Sequence, residues 1–261
     1  MGRHRRTHDE PCCYHITHRC QERRFLLRFE RDRQRYVTRL REMTLAHPVQ
    51  VLDYIVTANH VHLLLWAEKA RYISTAMGWL QGNTARDYNR RKHREGSFWR
   101  GRYHPTMIET GSHLSRCLFY IDLNMVRAGV CGHPREWRAA GYHELCGARR
   151  RYRIIRMSRL LAVLGLAMPG GESAFRRWYT ATMEEMLVGG HAVREPVWSE
   201  AVAVGSRAWL ERLGPGIRGA TMEPLAPVAA TGHVAEDAGS YVLQAPSRAR
   251  MDFWRRAQTR P

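Results

Sequence analysis

The chain has 261 residues, and its 42 Lys and Arg outnumber its 24 Asp and Glu, which gives a formal charge of +18 at pH 7. This imbalance argues against an acidic small-molecule enzyme or a neutral structural protein, and it favours a polyanionic partner, most simply nucleic acid. A hydrophobic content of 44% excludes a wholly disordered basic tail. No apolar run approaches the ~20 residues of a membrane span. The cysteines form no CxxC pair and no regular framework, which fits a reducing compartment. We therefore expect a cytoplasmic protein without a membrane partner.

Strands and helices alternate in the hydrophobic pattern of the first half of the chain. Runs rich in β-forming residues predict strands, two of which are close enough to form a hairpin, and apolar residues at helical spacing predict helices. The predicted order is a strand at 13–19, a helix at 30–46, strands at 49–56 and 60–66, a helix at 71–91, a strand at 103–109 and a helix that Ser112 caps and that runs to about 128. This order predicts an α+β fold in which helices pack on one face of an antiparallel sheet.

The character of the chain changes near residue 150. Residues 1–150 have a net charge of +13, whereas residues 151–261 have only +5. The predicted organisation is a basic arm at 1–10, a domain at 11–147, a helical extension at 148–213 and a flexible tail rich in Pro, Gly and Ala at 214–261. Within the extension, helical patterns cover 149–164, 173–187 and 195–213.

His60 and His62 form an HxH pattern inside the predicted strand at 60–66. Side chains alternate across a strand, so both imidazoles lie on one face, where two neighbouring rings can chelate one divalent ion. The pattern is short, and ordinary polar residues on a half-exposed strand are the alternative interpretation.

Tyr120 and Asn124 lie four residues apart on the predicted helix after Ser112 and therefore share one helix face. There Asn124 can offer its carbonyl oxygen to an ion that lies beside Tyr120. A phenol becomes a nucleophile when its proton is removed or when a bound metal polarises the phosphate that it attacks. Alternatively, Tyr120 is a packing residue of the core.

Residues 86–103 combine seven cations with aromatic residues. Cations bind phosphates and aromatic rings stack on unpaired bases, so the segment suits single-stranded nucleic acid. The candidate contacts are Arg86, Arg90, Arg91, Lys92, Arg94, Trp99, Arg100 and Arg102. The alternative is a solvated helix end followed by a loop that Phe98 and Trp99 anchor.

Other sites lack support in the sequence. The Cys and His residues at 12–20 match no tetrahedral zinc spacing, because alternate strand residues face apart. The chain has no GxxxxGK[ST], GxSxG or HExxH motif, so nucleotide hydrolysis, esterase and zincin activities are not supported.

Five ordered blocks resemble the HUH single-tyrosine transposases, in particular the REP-associated tyrosine transposases. The blocks are YHITHRC at 14–20, TANHVHLLL at 57–65, GWLQGNTARDYNRR at 78–91, SFWRGRYHPTMIE at 97–109 and FYIDLNMVRAGV at 119–130. The resemblance covers residues 11–147 and implies a ferredoxin-like HUH core. It implies that His60, His62 and Asn124 bind Mg²⁺ or Mn²⁺ and that Tyr120 is the nucleophile. It also implies cleavage of single-stranded DNA next to a hairpin, through a 5′-phosphotyrosine intermediate, by a nucleoid-associated protein.

The sequence departs from the family pattern at three positions. Cys20 stands where glycine is usual, Met125 replaces a common proline, and Asp122 stands where His or Glu is frequent. None of these is one of the four site residues. Two alternatives stay open: another HUH endonuclease, such as a replication initiator or relaxase, and a hairpin-binding DNA or RNA regulator without catalysis. The sequence does not decide between a monomer and a homodimer.

Overall fold

A seven-stranded sheet organises the chain. The computed structural model describes residues 10–149, 151–165, 169–190, 194–213, 221–224 and 240–244. The strands are β1 (Cys12–Arg19), β2 (Gln50–Val56), β3 (His60–Ala67), β4 (His104–Ile108), β5 (Ala203–Ser206), β6 (Thr221–Pro224) and β7 (Ser240–Gln244). The helices are α1 (Glu30–Ala46), α2 (Ala70–Lys92), α3 (Ser112–Asp122), α4 (Asn124–Arg127), α5 (Tyr142–Leu145), α6 (Met157–Leu164), α7 (Gly171–Val188), α8 (Val197–Glu200) and α9 (Arg207–Leu213). Short 3₁₀ turns occupy Gln21–Arg23 and Pro134–Glu136. The predicted α+β class is confirmed.

The strand order is β2-β3-β1-β4-β5-β7-β6, so β1 lies between β3 and β4. All neighbouring strands are antiparallel except β4 and β5, which are parallel. The predicted hairpin is confirmed: β2 and β3 pair across a connection in which the Thr57 amide donates to the His60 carbonyl. The register places Thr17 opposite His62 and Arg19 opposite His60, so the odd-numbered residues of β1 share a face with the two histidines.

Helices cover both faces of the sheet, and the predicted single-sided arrangement is wrong. His15 of β1 bonds to His62 and lies beside Tyr120 of α3. His18, on the opposite face of the same strand, stacks on Trp99, whose indole donates to the Gln81 carbonyl of α2. The period of a helix shows that one side is apolar, but it does not show which face of the sheet that side covers.

Helix α3 begins at Ser112, but Ser112 is not its cap. The capping position belongs to Gly111, at φ +82°, which has no side chain to bond to the first amides of the helix. Glycine reaches this φ without the steric cost that a side chain would impose. The predicted helix to about 128 is divided at Leu123 into α3 and α4.

The extension after residue 150 adds strands as well as helices, which corrects the prediction of a helical appendage. The expected helix at 149–164 begins only at Met157, because Ile155 is extended and forms a bridge with Val51. The expected helix at 195–213 is interrupted by β5, which is buried beside β4. The region predicted as a flexible tail contains β6 and β7. Strands of four or five residues are too short to show a periodic pattern.

Asp122 attaches the extension to α3. Tyr179 of α7 donates its hydroxyl hydrogen to Asp122 Oδ2, and its ring stacks on Phe119 at 5.4 Å. Burial raises the pKa of the Asp122 carboxyl to about 7. The departure from the family pattern at this position therefore lies in a contact between the first domain and the extension.

Candidate active site

His60 and His62 occupy neighbouring positions on one face of β3, as the sequence predicted. Their ring centroids are 4.9 Å apart. His62 is buried, whereas His60 is partly exposed. Burial lowers the pKa of both rings, that of His60 to about 3. Both imidazoles are therefore neutral at pH 7, the state in which a histidine ligates a metal.

The turn before β3 fixes the orientation of His60. Its Nδ1 lies 2.8 Å from Thr57 Oγ1 and 2.7 Å from Asn59 Oδ1. Asn59 Nδ2 donates to the Arg23 carbonyl, which directs Oδ1 towards His60. Since an amide oxygen only accepts, His60 Nδ1 carries the hydrogen and Nε2 is left as the lone-pair nitrogen for a ligand.

Tyr120 of α3 lies over the histidines of its own chain. Its ring centroid is 6.3 Å from that of His62 and 6.1 Å from those of His15 and Trp198. The side chain is 7% exposed, which fits a reactive group that retains a narrow approach from solvent. One chain therefore brings the tyrosine and the histidine pair together without a second copy.

The guanidinium of Arg127 lies against the tyrosine. Its carbon lies 4.0 Å from the centre of the Tyr120 ring, and both terminal nitrogens donate to the Tyr120 carbonyl. Burial raises the pKa of Tyr120, and the charge of Arg127 opposes that rise. Arg127 is thus placed to stabilise a phenolate or an approaching phosphate.

Asn124, the first residue of α4, completes the group. Its side-chain amide lies 3.1 Å from His62 Nε2. The oxygen and nitrogen of an amide exchange places by rotation, so the carbonyl oxygen can face the same point as the two Nε2 atoms. Two neutral imidazoles and one amide oxygen suit a divalent ion whose remaining ligands are water and phosphate. Among the described residues, no cluster of three or more His, Cys, Asp or Glu could hold a metal.

His15 joins the site from β1, and the sequence analysis did not identify it. Its Nε2 lies 2.8 Å from His62 Nδ1, and its Nδ1 lies 2.6 Å from the Trp198 carbonyl of α8. Burial lowers the pKa of His15 to about 4. The alternation of side chains along β1 could have shown which residues share a face with His15. Only the pairing of β1 with β3 brings His15 to His62.

The predicted nucleic-acid contacts at the end of α2 divide into exposed and paired residues. The side chain of Arg90 is 83% exposed and forms a local 3.7 Å ion pair with Asp87 of the same helix. Arg86 is exposed and bonds only locally, to Asn83. Lys92 lies 5.3 Å from the ring of Phe29. Arg91 differs, because it binds the buried carboxylate of Asp32 at 2.9 Å.

The predicted nucleic-acid contacts in the loop after α2 also differ in whether they are exposed. Arg94 donates to the Asn89 side chain and the Ser97 carbonyl, so it closes the loop. Arg100 is partly exposed and Arg102 is exposed. Trp99 is buried against His18 and Phe98, and it cannot stack on a base as predicted. The interpretation of this residue as a loop anchor is the correct one.

Two exposed aromatic residues near His60 were also missed. Phe25 and Phe29 are 64% and 46% exposed, and the guanidinium of Arg28 lies 4.7 Å from the Phe29 ring. Their segment contacts the turn before β3, where the Leu27 amide donates to the Ala58 carbonyl. No periodic pattern marks such a loop, so sequence reasoning had no signal for it.

The remaining predicted features fall partly outside the described residues. Of the basic arm at 1–10, only Glu10 is described, so Arg3, Arg5 and Arg6 lie outside the described part of the chain. Within the described ranges, no helix has the length and apolar character that crossing a membrane requires.

The first domain is similar to a family of known proteins. Residues 9–124 match the model of the IS200-like transposases. No curated protein matches the chain. One similar solved structure is a REP-associated tyrosine transposase bound to a REP hairpin, at 15% identity, with 58% of this chain and 90% of that chain covered and a TM-score of 0.48. Another, a Deinococcus radiodurans protein assigned as a transposase, is 22% identical, with 40% and 84% covered and a TM-score of 0.33.

Proposed function

We propose that this protein is a metal-dependent, REP-associated tyrosine transposase that cleaves and rejoins single-stranded DNA next to hairpins. The observation that carries the proposal is the convergence of Tyr120, His60, His62 and Asn124 on one face of the sheet. These side chains come from α3, β3 and α4, and all four residues lie within the family match at residues 9–124. A tyrosine hydroxyl beside two neutral imidazoles is an arrangement for phosphoryl transfer rather than for binding alone.

The chemistry follows from these positions. In cleavage, Tyr120 Oη forms a bond to the scissile phosphorus while the bond from phosphorus to the 3′ oxygen breaks. The phenol loses its proton, the departing oxygen takes up a proton, and the products are a 5′-phosphotyrosine and a free 3′-hydroxyl. A second 3′-hydroxyl reverses these changes and joins the strands without ATP. A divalent ion held by His60, His62 and Asn124 would polarise the phosphate.

Arg127 serves this step by electrostatics. Its guanidinium lies 4.0 Å from the Tyr120 ring centre, so it favours the negative charge that develops on the phenol oxygen. It is also held in place, because both terminal nitrogens bond to the Tyr120 carbonyl. A preorganised cation of this kind needs little rearrangement during the reaction.

Exposed cations and aromatic rings form the surface that binds the flanking DNA. Arg86, Arg90 and Arg102 are exposed and can contact phosphates. Phe25 and Phe29 replace the buried Trp99 as candidates for stacking on unpaired bases. Because their segment contacts the turn that holds His60, a strand on these rings would lead to the active site.

Arg90 and Arg91 form a matched pair that tests this surface. We expect Arg90→Gln to weaken binding of a single-stranded hairpin and to reduce the log–log salt slope by about 0.7, the share of one phosphate contact. Arg91→Gln should instead destabilise the fold by about 3 kcal/mol, because it leaves the Asp32 carboxylate buried without its cation. Salt-dependent fluorescence anisotropy and urea unfolding measure the two effects. An unchanged slope in Arg90→Gln would remove this residue from the DNA surface.

Cleavage with and without a chelator separates an enzyme from a binding protein. We expect the full chain to cut single-stranded hairpins from the DNA flanking its own gene in Mg²⁺ or Mn²⁺, and EDTA to abolish cutting. The readouts are the free 3′ product and the protein–DNA adduct on a denaturing gel. Tight hairpin binding without product in either metal would contradict the transposase proposal and favour a regulator.

A further inference from the structure

We infer that His15 is a positioning residue of the proposed active site, through which a main-chain carbonyl of the C-terminal extension sets the tautomer of His62. The inference rests on the proposed function, since it concerns the ring nitrogen that His62 would offer to a divalent ion. It assigns a role in the active site to the extension, which lies outside the family match at residues 9–124.

A main-chain carbonyl determines which ring nitrogen of His15 carries the hydrogen. Its Nδ1 lies 2.6 Å from the carbonyl oxygen of Trp198, a residue 183 positions later in the chain. A carbonyl oxygen has lone pairs and no hydrogen, so it can only accept. His15 Nδ1 must therefore carry the hydrogen in this bond.

The tautomer of His15 in turn determines the tautomer of His62. The His15 ring is fully buried, and its two nitrogens lie against a main-chain carbonyl and another imidazole, neither of which is an anion that would stabilise a charged ring. A neutral imidazole with its hydrogen on Nδ1 has a lone pair on Nε2. That Nε2 lies 2.8 Å from His62 Nδ1, so His62 donates and its own hydrogen is on Nδ1.

The consequence appears at the opposite nitrogen of His62. With the hydrogen on Nδ1, Nε2 presents its lone pair towards the Asn124 amide, 3.1 Å away. The turn residues Thr57 and Asn59 impose the same tautomer on His60. Both histidines are thereby prepared to bind one ion through Nε2. The preceding turn orients His60, and a distant part of the chain orients His62.

The extension holds the Trp198 carbonyl firmly enough for this role. The Trp198 side chain is fully buried, and its ring centroid lies 6.1 Å from that of Tyr120. Three residues on, the Ala201 carbonyl accepts from the hydroxyl of Thr106 at 2.8 Å and lies 2.9 Å from His104 Nε2. The Met107 amide donates to the Val202 carbonyl. These bonds attach the segment after α8 to β4, two strands away from the histidine pair.

The tautomer of His62 can be observed directly in the metal-free protein. In ¹⁵N-histidine NMR spectra of the full chain, assigned with a His62→Gln variant, we expect the His62 Nδ1 signal to be that of a protonated nitrogen. His15→Phe should shift it towards the average of the two tautomers. His18→Phe is the matched control, because His18 is also buried and bonds to a carbonyl, but lies on the other face of β1. An unchanged His62 spectrum in folded His15→Phe would overturn the inference.

Manganese affinity gives a second readout, measured by electron paramagnetic resonance with Mn²⁺ alone. We expect His15→Asn, whose amide reaches only the Nδ1 position, to bind Mn²⁺ about 10–100-fold more weakly. His15→Gln, whose oxygen reaches the Nε2 position and accepts from His62, should restore most of the affinity. Equal affinity in both variants and the wild type would overturn the inference. A wild-type chain that binds no Mn²⁺ would contradict the proposed function instead, and the NMR spectra would still test the tautomer.

Discussion

Replacing Tyr120 with phenylalanine should abolish the covalent adduct with cleaved DNA and leave hairpin binding nearly intact. The substitution removes only the hydroxyl, which is the proposed nucleophile. The ring keeps its packing against Trp198 and its contact with the Arg127 guanidinium, so the site and the DNA surface keep their shape. Loss of a nucleophile costs at least about 10³-fold in rate, and adduct formation should therefore fall below detection.

A denaturing gel with end-labelled hairpin DNA measures the adduct, and anisotropy measures binding by the same preparation. Tyr152→Phe is the matched control, because Tyr152 is exposed in the extension and its ring lies 5.2 Å from the guanidinium of Arg41 on α1. The control should form the adduct at the wild-type rate. Undiminished adduct formation by Tyr120→Phe would contradict the assignment of Tyr120 as the nucleophile.

Removal of either histidine should stop cleavage almost completely. His60→Ala and His62→Ala each delete one of the two neutral imidazoles that share the site. We expect each to lower the cleavage rate by at least about 10²-fold, and the double variant to be little worse, because residues that act as a unit are not additive. Hairpin binding in EDTA should be unchanged, since that binding uses the cations and rings outside the pair.

His47→Ala is a suitable control for the histidine variants. His47 follows α1 and packs edge-on against Trp79 of α2, so its loss changes the histidine content without touching the pair. Single-turnover cleavage in Mg²⁺ compares the four variants with the wild type. Cleavage that survives in both single variants would show that the divalent ion binds elsewhere.

The periodic patterns of the sequence predicted the larger elements and missed the smaller ones. Helices α1 and α2 and the β2–β3 hairpin are long enough for their periods to be recognised. β5 and β7 are short and pair with strands far away in the chain, so no local pattern marks them. The prediction that all helices lie on one face of the sheet was wrong for a related reason. The period of a helix identifies its apolar side but not the face of the sheet that this side covers.

The candidate site was visible only where it is local. The HxH pattern and the spacing of Tyr120 and Asn124 are properties of single elements, and the resemblance connected them. His15 and Trp198 meet across 183 positions, and such a contact depends on the whole fold. Trp99 shows the converse error, because an aromatic residue in a basic run looks like a base-stacking group until its burial against His18 is known.

The most direct test of the account is to map the residue that becomes attached to DNA. The full chain is incubated with a cleavable hairpin in Mg²⁺, the adduct is digested with nuclease and protease, and the peptides are analysed by mass spectrometry. We expect a nucleotide joined by a 5′-phosphate to Tyr120, in a peptide that is absent from the EDTA sample. Attachment to any other residue, or strand cleavage without any covalent peptide, would contradict the account.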